Sequence, residues 1–109
     1  TAEAMTSANP MGGDIVPQPG EGPSRESREQ GNYDVLFVGN SGDESMQARV
    51  TGDMDPGYGS TSKMIAESAI CLVQDCGDLP GGIYTPAPAM GDKLISRLVQ
   101  KAGLTFDLV

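Results

Sequence analysis

The sequence predicts an α+β fold, a small antiparallel or mixed sheet covered by two amphipathic helices and preceded by a Gly/Pro-rich loop segment. Three observations predict it. A β-branched and aromatic run, Tyr33 to Val38, is followed by the alternating run Met46 to Thr51. Two stretches, Thr61 to Cys76 and Asp92 to Ala102, place apolar residues at helical period. Of the 15 Gly and 8 Pro, four of each fall in the short stretch before Ser24, a local enrichment.

In chain order, residues 1–22 read as a flexible linker or loop, because Pro10, Gly12, Gly13, Pro17, Pro19, Gly20 and Gly22 interrupt any period. Residues 23–109 form the α+β segment. Pro23 to Gln30 carries mixed charges at helical spacing and stops at Gly31, which predicts one short solvated helix. The strands Tyr33–Val38 and Met46–Thr51, joined by the loop Gly39 to Glu44, predict an antiparallel hairpin. Met46, Ala48 and Val50 share one face and Gln47, Arg49 and Thr51 the other, so one side of the sheet faces solvent or a polar cover.

Ile65, Ala69, Leu72, Val73 and Cys76 fall on i, i+4, i+7, i+8 and i+11, the stripe expected to pack on the sheet. Gly77, Pro80, Gly81 and Gly82 end that helix. Ile83-Tyr84-Thr85 reads as a short extended piece and Pro86-Ala87-Pro88 as a rigid connector. The second helix presents Leu94, Ile95, Leu98, Val99 and Ala102 on one side and is capped by Gly103. Leu104, Phe106 and Leu108 then face inward from a last strand.

The net charge of −8 argues against nucleic acid or an anionic membrane as partner. No apolar run approaches the ~20 residues that span a bilayer, and the start lacks the basic and apolar regions of a signal peptide. A chain that begins at Thr1 and ends on Leu108-Val109 fits a piece of a longer polypeptide. Cys71 and Cys76 lie roughly 140° apart around one predicted helix, too far to pair, which points to reduced thiols in a cytoplasmic setting.

The segment with most chemical content is Asp55-Pro56-Gly57-Tyr58-Gly59-Ser60-Thr61-Ser62-Lys63, a glycine loop running into a helix. Gly57, Tyr58, Gly59, Ser60, Thr61 and Lys63 are the candidate substrate or cofactor edge: backbone N–H groups at a helix start collect anions, and Lys63 adds a counter-charge. The dinucleotide fingerprint is matched only loosely, since Gly52 to Pro56 separate the strand from the first glycine where a tight turn is needed. The alternative is plain structure, a turn at Asp55-Pro56-Gly57 with Ser60 or Thr61 capping the helix. No metal site is expected, because the chain has no His and its paired acids, Asp43-Glu44 and Asp53/Asp55, lack a third carboxylate at ligand spacing. The two cysteines lack C-x-x-C spacing and a histidine partner, and Tyr58 and Tyr84 are more readily packed rings than proton donors.

Several segments resemble the C-terminal part of the saccharopine dehydrogenase-like oxidoreductases, trans-acting enoyl reductases among them. They are Pro19-Gly20-Glu21-Gly22-Pro23-Ser24 with Arg28-Glu29-x-Gly31, then Asp55-Pro56-Gly57-Tyr58-Gly59-x-Thr61-x-Lys63-Met64. Leu79-Pro80-Gly81-Gly82-Ile83-Tyr84-Thr85-Pro86-Ala87-x-Ala89-Met90-Gly91 follows, with Leu94-Ile95-x-Arg97-Leu98 and Ala102-Gly103-Leu104-Thr105-Phe106. The resemblance implies a parent protein that reduces with NAD(P) held on an N-terminal Rossmann domain, which is absent from this sequence. It implies for this segment a scaffold role, a share of the substrate cleft and a subunit interface, with no cofactor of its own and no activity alone. Catalytic residues are not carried over. The competing expectation is an independent acidic module whose exposed sheet edge pairs with itself, as a homodimer, or with another protein.

Overall fold

The structure is a computed structural model that describes residues 20–109; the linker predicted for residues 1–22 lies almost wholly outside the described residues. Helix α1 (Arg25–Gln30) begins where Ser24 Oγ accepts the Ser27 amide at 3.1 Å, and Arg25–Glu29 and Gln30–Glu26 pairs line its surface. None of its residues is buried. Its tie to the rest is backbone: the Asp55 amide donates to the Arg28 carbonyl at 3.0 Å.

Strand β1 (Tyr33–Ser41) pairs antiparallel with β2 (Glu44–Gly52) in an unbroken register from Tyr33↔Gly52 to Ser41↔Glu44. Both strands outrun the sequence expectation, and the six-residue loop shrinks to Gly42-Asp43. The reason is Gly42, whose φ of 60° suits the first central position of a two-residue hairpin turn, so Asn40 and Ser41 can stay paired. Strand β3 (Leu104–Leu108) adds antiparallel to β2, giving the order β1-β2-β3.

The register sorts the two faces. Val35 and Phe37, with Ala48 and Val50, and with Leu104, Phe106 and Leu108, lie on one side. The other side is mostly polar, as the alternation predicts: Arg49 grips both carboxylate oxygens of Asp34, and Thr51 and Thr105 share a hydrogen bond of 2.7 Å.

Helix α2 (Gly59–Gln74) and helix α3 (Pro86–Lys101) cover only part of the apolar face. α3 packs on α2 and on β3, and its Leu98 forms a core cluster with Ala102 and Leu104, flanked by Val50, Met64 and Phe106. A second cluster joins Cys71, Cys76 and Met90 with Leu79, Ala89 and Leu94. Ala102 and Gly103 close α3, Gly103 at φ 74°, the left-handed stop that the sequence predicts.

Three expectations need correction. The predicted core stripe of α2 faces outward: Ile65 is 69% and Val73 82% exposed, Ala69 and Leu72 are exposed as well, and of the five only Cys76 is buried. The line that does turn inward is Ser60, Met64, Ser68 and Cys71, at i, i+4, i+8 and i+11. Polar members of that line have partners inside the fold, so burial does not leave them unpaired. Ser60 Oγ bonds the Tyr33 hydroxyl at 2.8 Å and Ser68 Oγ donates to the Met64 carbonyl at 2.7 Å.

Next, Pro86-Ala87-Pro88 is the first turn of α3 and no connector, since a proline at a helix start forfeits no bond and presets φ. The helix breaks at Gly91 (φ 46°) before continuing through Asp92. Finally, inward facing is incomplete on the later elements, where only one edge of the α3 stripe and the start of β3 reach the Leu98 cluster. Ile95, Val99 and Leu108 stay substantially exposed, while Leu98, Ala102 and Leu104 are buried. Ile83 to Thr85 joins no strand of the sheet.

Candidate functional site

The loop from Asp53 to Lys63 folds around one carboxylate. Asp55 Oδ1 accepts the amides of Gly57 (3.0 Å) and Tyr58 (3.1 Å), and Oδ2 accepts the Gly59 amide at 2.5 Å. The Asp55 carbonyl takes the Ser60 amide at 2.9 Å. The start of α2, where orphan N–H groups and the helix dipole favour negative charge, therefore holds the chain's own carboxylate. The Gly59 amide first, with those of Tyr58 and Gly57 and the charge of Arg28, holds this carboxyl below the ordinary range against the desolvation that pushes it up.

Neither Ser60 nor Thr61 caps the helix. Ser60 is fully buried against Tyr33, and Thr61 Oγ1 donates back to the Pro56 carbonyl at 2.6 Å. Asp55 takes the capping role because the turn at Pro56-Gly57 returns the chain to its carboxylate. The signal was in the sequence: Asp before Pro-Gly, four residues ahead of the first helical residue.

The other members of the set are placed as follows. Gly59 is buried, Gly57 and Tyr58 are exposed, and Lys63 Nζ lies 3.3 Å from Asp53 Oδ1 at the surface. These residues are neighbours, yet their polar atoms are largely spent within the loop. A dinucleotide pyrophosphate does not fit here, since the three amides it would need already serve Asp55.

A second polar centre sits between α2 and α3. Arg97 donates to Asp75 Oδ2 (2.5 Å), Glu67 Oε2 (3.0 Å) and Gln74 Oε1 (2.8 Å), while Lys93 Nζ donates to the Asp75 carbonyl at 2.6 Å. Hydrogen bonding from Arg97 holds the Asp75 carboxyl below its usual range, and the two carboxylates, Asp75 first, raise Arg97 further above its own. With every arm of the guanidinium engaged, the arrangement orients α2 on α3 and leaves little for a ligand. Glu67, Gln74 and Asp75 at i, i+7 and i+8 mark a polar helix face, which could have flagged the inward line from sequence.

At the far end of α2, roughly 20 Å from the loop by helix rise, an apolar groove of about 420 Å³ opens between Leu72, Leu79, Tyr84, Pro86, Ala89 and Met90. Tyr84 borders it with its hydroxyl donated to the Pro80 carbonyl at 3.0 Å. The groove was not foreseen, because Leu72 and Ala89 belong to different elements. Cys71 and Cys76 are free and buried beneath it, and burial, followed by the neighbouring Cys76 sulfur, pushes the Cys71 thiol up, away from nucleophilic thiolate. Among the described residues no helix is long and apolar enough to cross a membrane.

Comparison with known proteins finds relatives among trans-acting enoyl reductases. The chain is 40% identical over 87 residues to a Mycobacterium tuberculosis protein named provisionally as a trans-acting enoyl reductase. It is 37% identical over 89 residues to the trans-acting enoyl reductase of Mycobacterium ulcerans, and 36% over 87 residues to that of Mycobacterium bovis. These alignments cover 77 to 79% of this chain but 21% of each relative, so the chain spans about a fifth of the length of the proteins it matches. No protein-family profile and no solved structure matches it.

Proposed function

We propose that this chain is the C-terminal segment of an NAD(P)-dependent, saccharopine dehydrogenase-like oxidoreductase of the trans-acting enoyl reductase type, acting in the cytoplasm. In this reading it supplies scaffold and one wall of the substrate cleft and is inactive alone. The observation that carries the reading is the 36 to 40% identity to proteins bearing that name, over a length that is 21% of theirs.

The geometry supports a supporting role over a catalytic one. The helix start that could have held a cofactor phosphate is filled by Asp55. The tyrosine nearest the groove has its hydroxyl tied to backbone, and the thiols are buried. The outward stripe Ile65, Ala69, Leu72 and Val73 supports a surface meant for cover, since an apolar helix face left in water marks an interaction site. The N-terminal Rossmann domain of the parent is the cover this reading assigns to it.

The apolar groove, lined by Leu72, Leu79 and Met90, is then the cleft wall, suited to an apolar chain and not to a charged headgroup. The outer rim of the loop, where Tyr58 is exposed, is the cleft edge, contributing ring surface and not anion-binding amides. The whole polypeptide that carries this sequence should have a mass several times 11.3 kDa when isolated from its natural source. It should oxidise NAD(P)H in the presence of an enoyl substrate; a natural product of 11.3 kDa with no larger form would refute the segment reading.

A second reading, an independent acidic pairing module, is favoured by one observation, the edge of β1 that has no partner strand among the described residues.

A further inference from the structure

We infer that the cavity between α1 and the start of α2 is a carboxylate site, in which one edge of the Arg28 guanidinium donates to both oxygens of the ligand. This stands apart from the oxidoreductase reading.

The observation that carries it is an orphan donor. Arg28 Nε is buried without a hydrogen-bond acceptor, the one such side-chain atom among the described residues. Buried polar groups are almost always paired, because an unmet donor has given up water for nothing and a charged one loses most. Elsewhere the cations have found acids: Arg25 pairs with Glu29, Arg49 with Asp34, Lys63 with Asp53, and Arg97 with Glu67 and Asp75. Arg28 is also fixed in place. Its carbonyl accepts the Asp55 amide at 3.0 Å, and the end of α1 lies so close to that residue that a Cβ on Gly31 would come within 2.6 Å of the Asp55 backbone.

The walls decide what enters. The cavity holds about 180 Å³ and is lined by Arg25, Arg28 and Glu29 at i, i+3 and i+4 on α1, by Gly59 and Ser62 on α2, and by Met54. That admits a group of a few atoms and not a dinucleotide. Two cations against one acid leave the lining at +1 in a chain of −8, so an anion is favoured and a cation repelled. Asp55, the other acid near Arg28, has its oxygens on the amides of Gly57, Tyr58 and Gly59.

The remaining wall groups are spent. The Gly59 amide serves Asp55, the Ser62 hydroxyl donates to the Gly59 carbonyl at 2.9 Å, and Arg25 Nε donates to Glu29 at 2.7 Å. What remains is the Arg28 fork, whose Nε and neighbouring Nη offer two parallel N–H groups at the spacing of carboxylate oxygens. A carboxylate is satisfied by that edge. A phosphate brings further oxygens for which this wall has no donor.

The test is a titration of the isotope-labelled 109-residue chain, followed by NMR in the arginine Nε–H region and at backbone amides. Sodium acetate is compared with sodium chloride at matched ionic strength. The Arg28 Nε–H signal, assigned by its loss in Arg28→Lys, should shift along a saturating curve together with the Gly59 and Ser62 amides. The midpoint should be on the order of tens of millimolar, the strength of one charged pair. The Arg49 signal should not follow it. In Arg28→Lys, which keeps the charge and loses the fork, the two amides should stop responding. Glu29→Gln removes the acid from the wall and should tighten acetate roughly two- to fivefold, which decides the matter should Arg28→Lys fail to fold. Phosphate should bind more weakly than acetate. In a longer polypeptide, an Arg28 signal that still answers acetate marks a free acid as the ligand, and one already at the bound position marks an Asp or Glu of that polypeptide; both support the site. An Arg28 signal that ignores acetate, moves equally with chloride or saturates with phosphate at least as tightly overturns the proposal, and the first of these leaves water as the partner of Nε.

Discussion

Replacing Val73 by alanine tests the orientation of α2 directly. Val73 is 82% exposed, so about a fifth of its side chain leaves water on folding. Full burial of a valine is worth ~1.5–3 kcal/mol, which makes the packing lost about 0.3–0.5 kcal/mol. Alanine recovers a similar amount through helix propensity, up to ~0.7 kcal/mol. The net change should therefore be near zero. Leu98, 7% exposed in the main cluster, should lose about 2–5 kcal/mol on the same truncation. Urea unfolding followed by circular dichroism at 222 nm, with the slope checked for constancy, separates the two cases. A loss of ~2 kcal/mol or more at Val73 would mean that the stripe is core in the isolated chain, and the account of α2 would be wrong. Ile65→Ala should also be mild. In a longer polypeptide that covers the stripe, both substitutions should become costly.

Other outcomes follow from single features. Asp55 and Asp75 have depressed folded-state values, so their contribution is present above the unfolded value of about 4 and is lost as pH falls through the folded one. Thermal melts should drop steeply below about pH 4, and Asp55→Asn should lower the neutral-pH melting temperature while flattening that acid limb. Gly42→Ala should destabilise by about 1–2 kcal/mol in chemical denaturation, since nothing lies near the new methyl and only the left-handed backbone opposes it; Gly42→Asn should cost less. Cys71 and Cys76 should resist iodoacetamide until denaturant is added, and rapid alkylation of the native chain would contradict their burial.

The parts of the fold legible in the sequence were those fixed by local chemistry. Alternation from Met46 to Thr51 marked a strand with one polar face, and Gly103 marked the end of α3, because each signal is written in neighbouring residues. The face of α2 was not legible. Periodicity shows that apolar residues share a side, but Ser60 and Glu67 turn inward only because Tyr33 and Arg97, 27 and 30 residues distant, satisfy them. The glycine loop was legible as a helix entry, whereas its occupant was not. Asp55 was read as part of a turn, and its three amide bonds depend on how Pro56-Gly57 folds back.

In the proposed reading, this segment serves a larger oxidoreductase without holding the cofactor. Calorimetric titration of the folded 109-residue chain with NADPH and NADH tests it most directly. No saturable heat is expected for either, because the amides at the start of α2 already serve Asp55. Saturable binding at micromolar affinity, about −8 kcal/mol, would contradict the claim and place a nucleotide site within these residues.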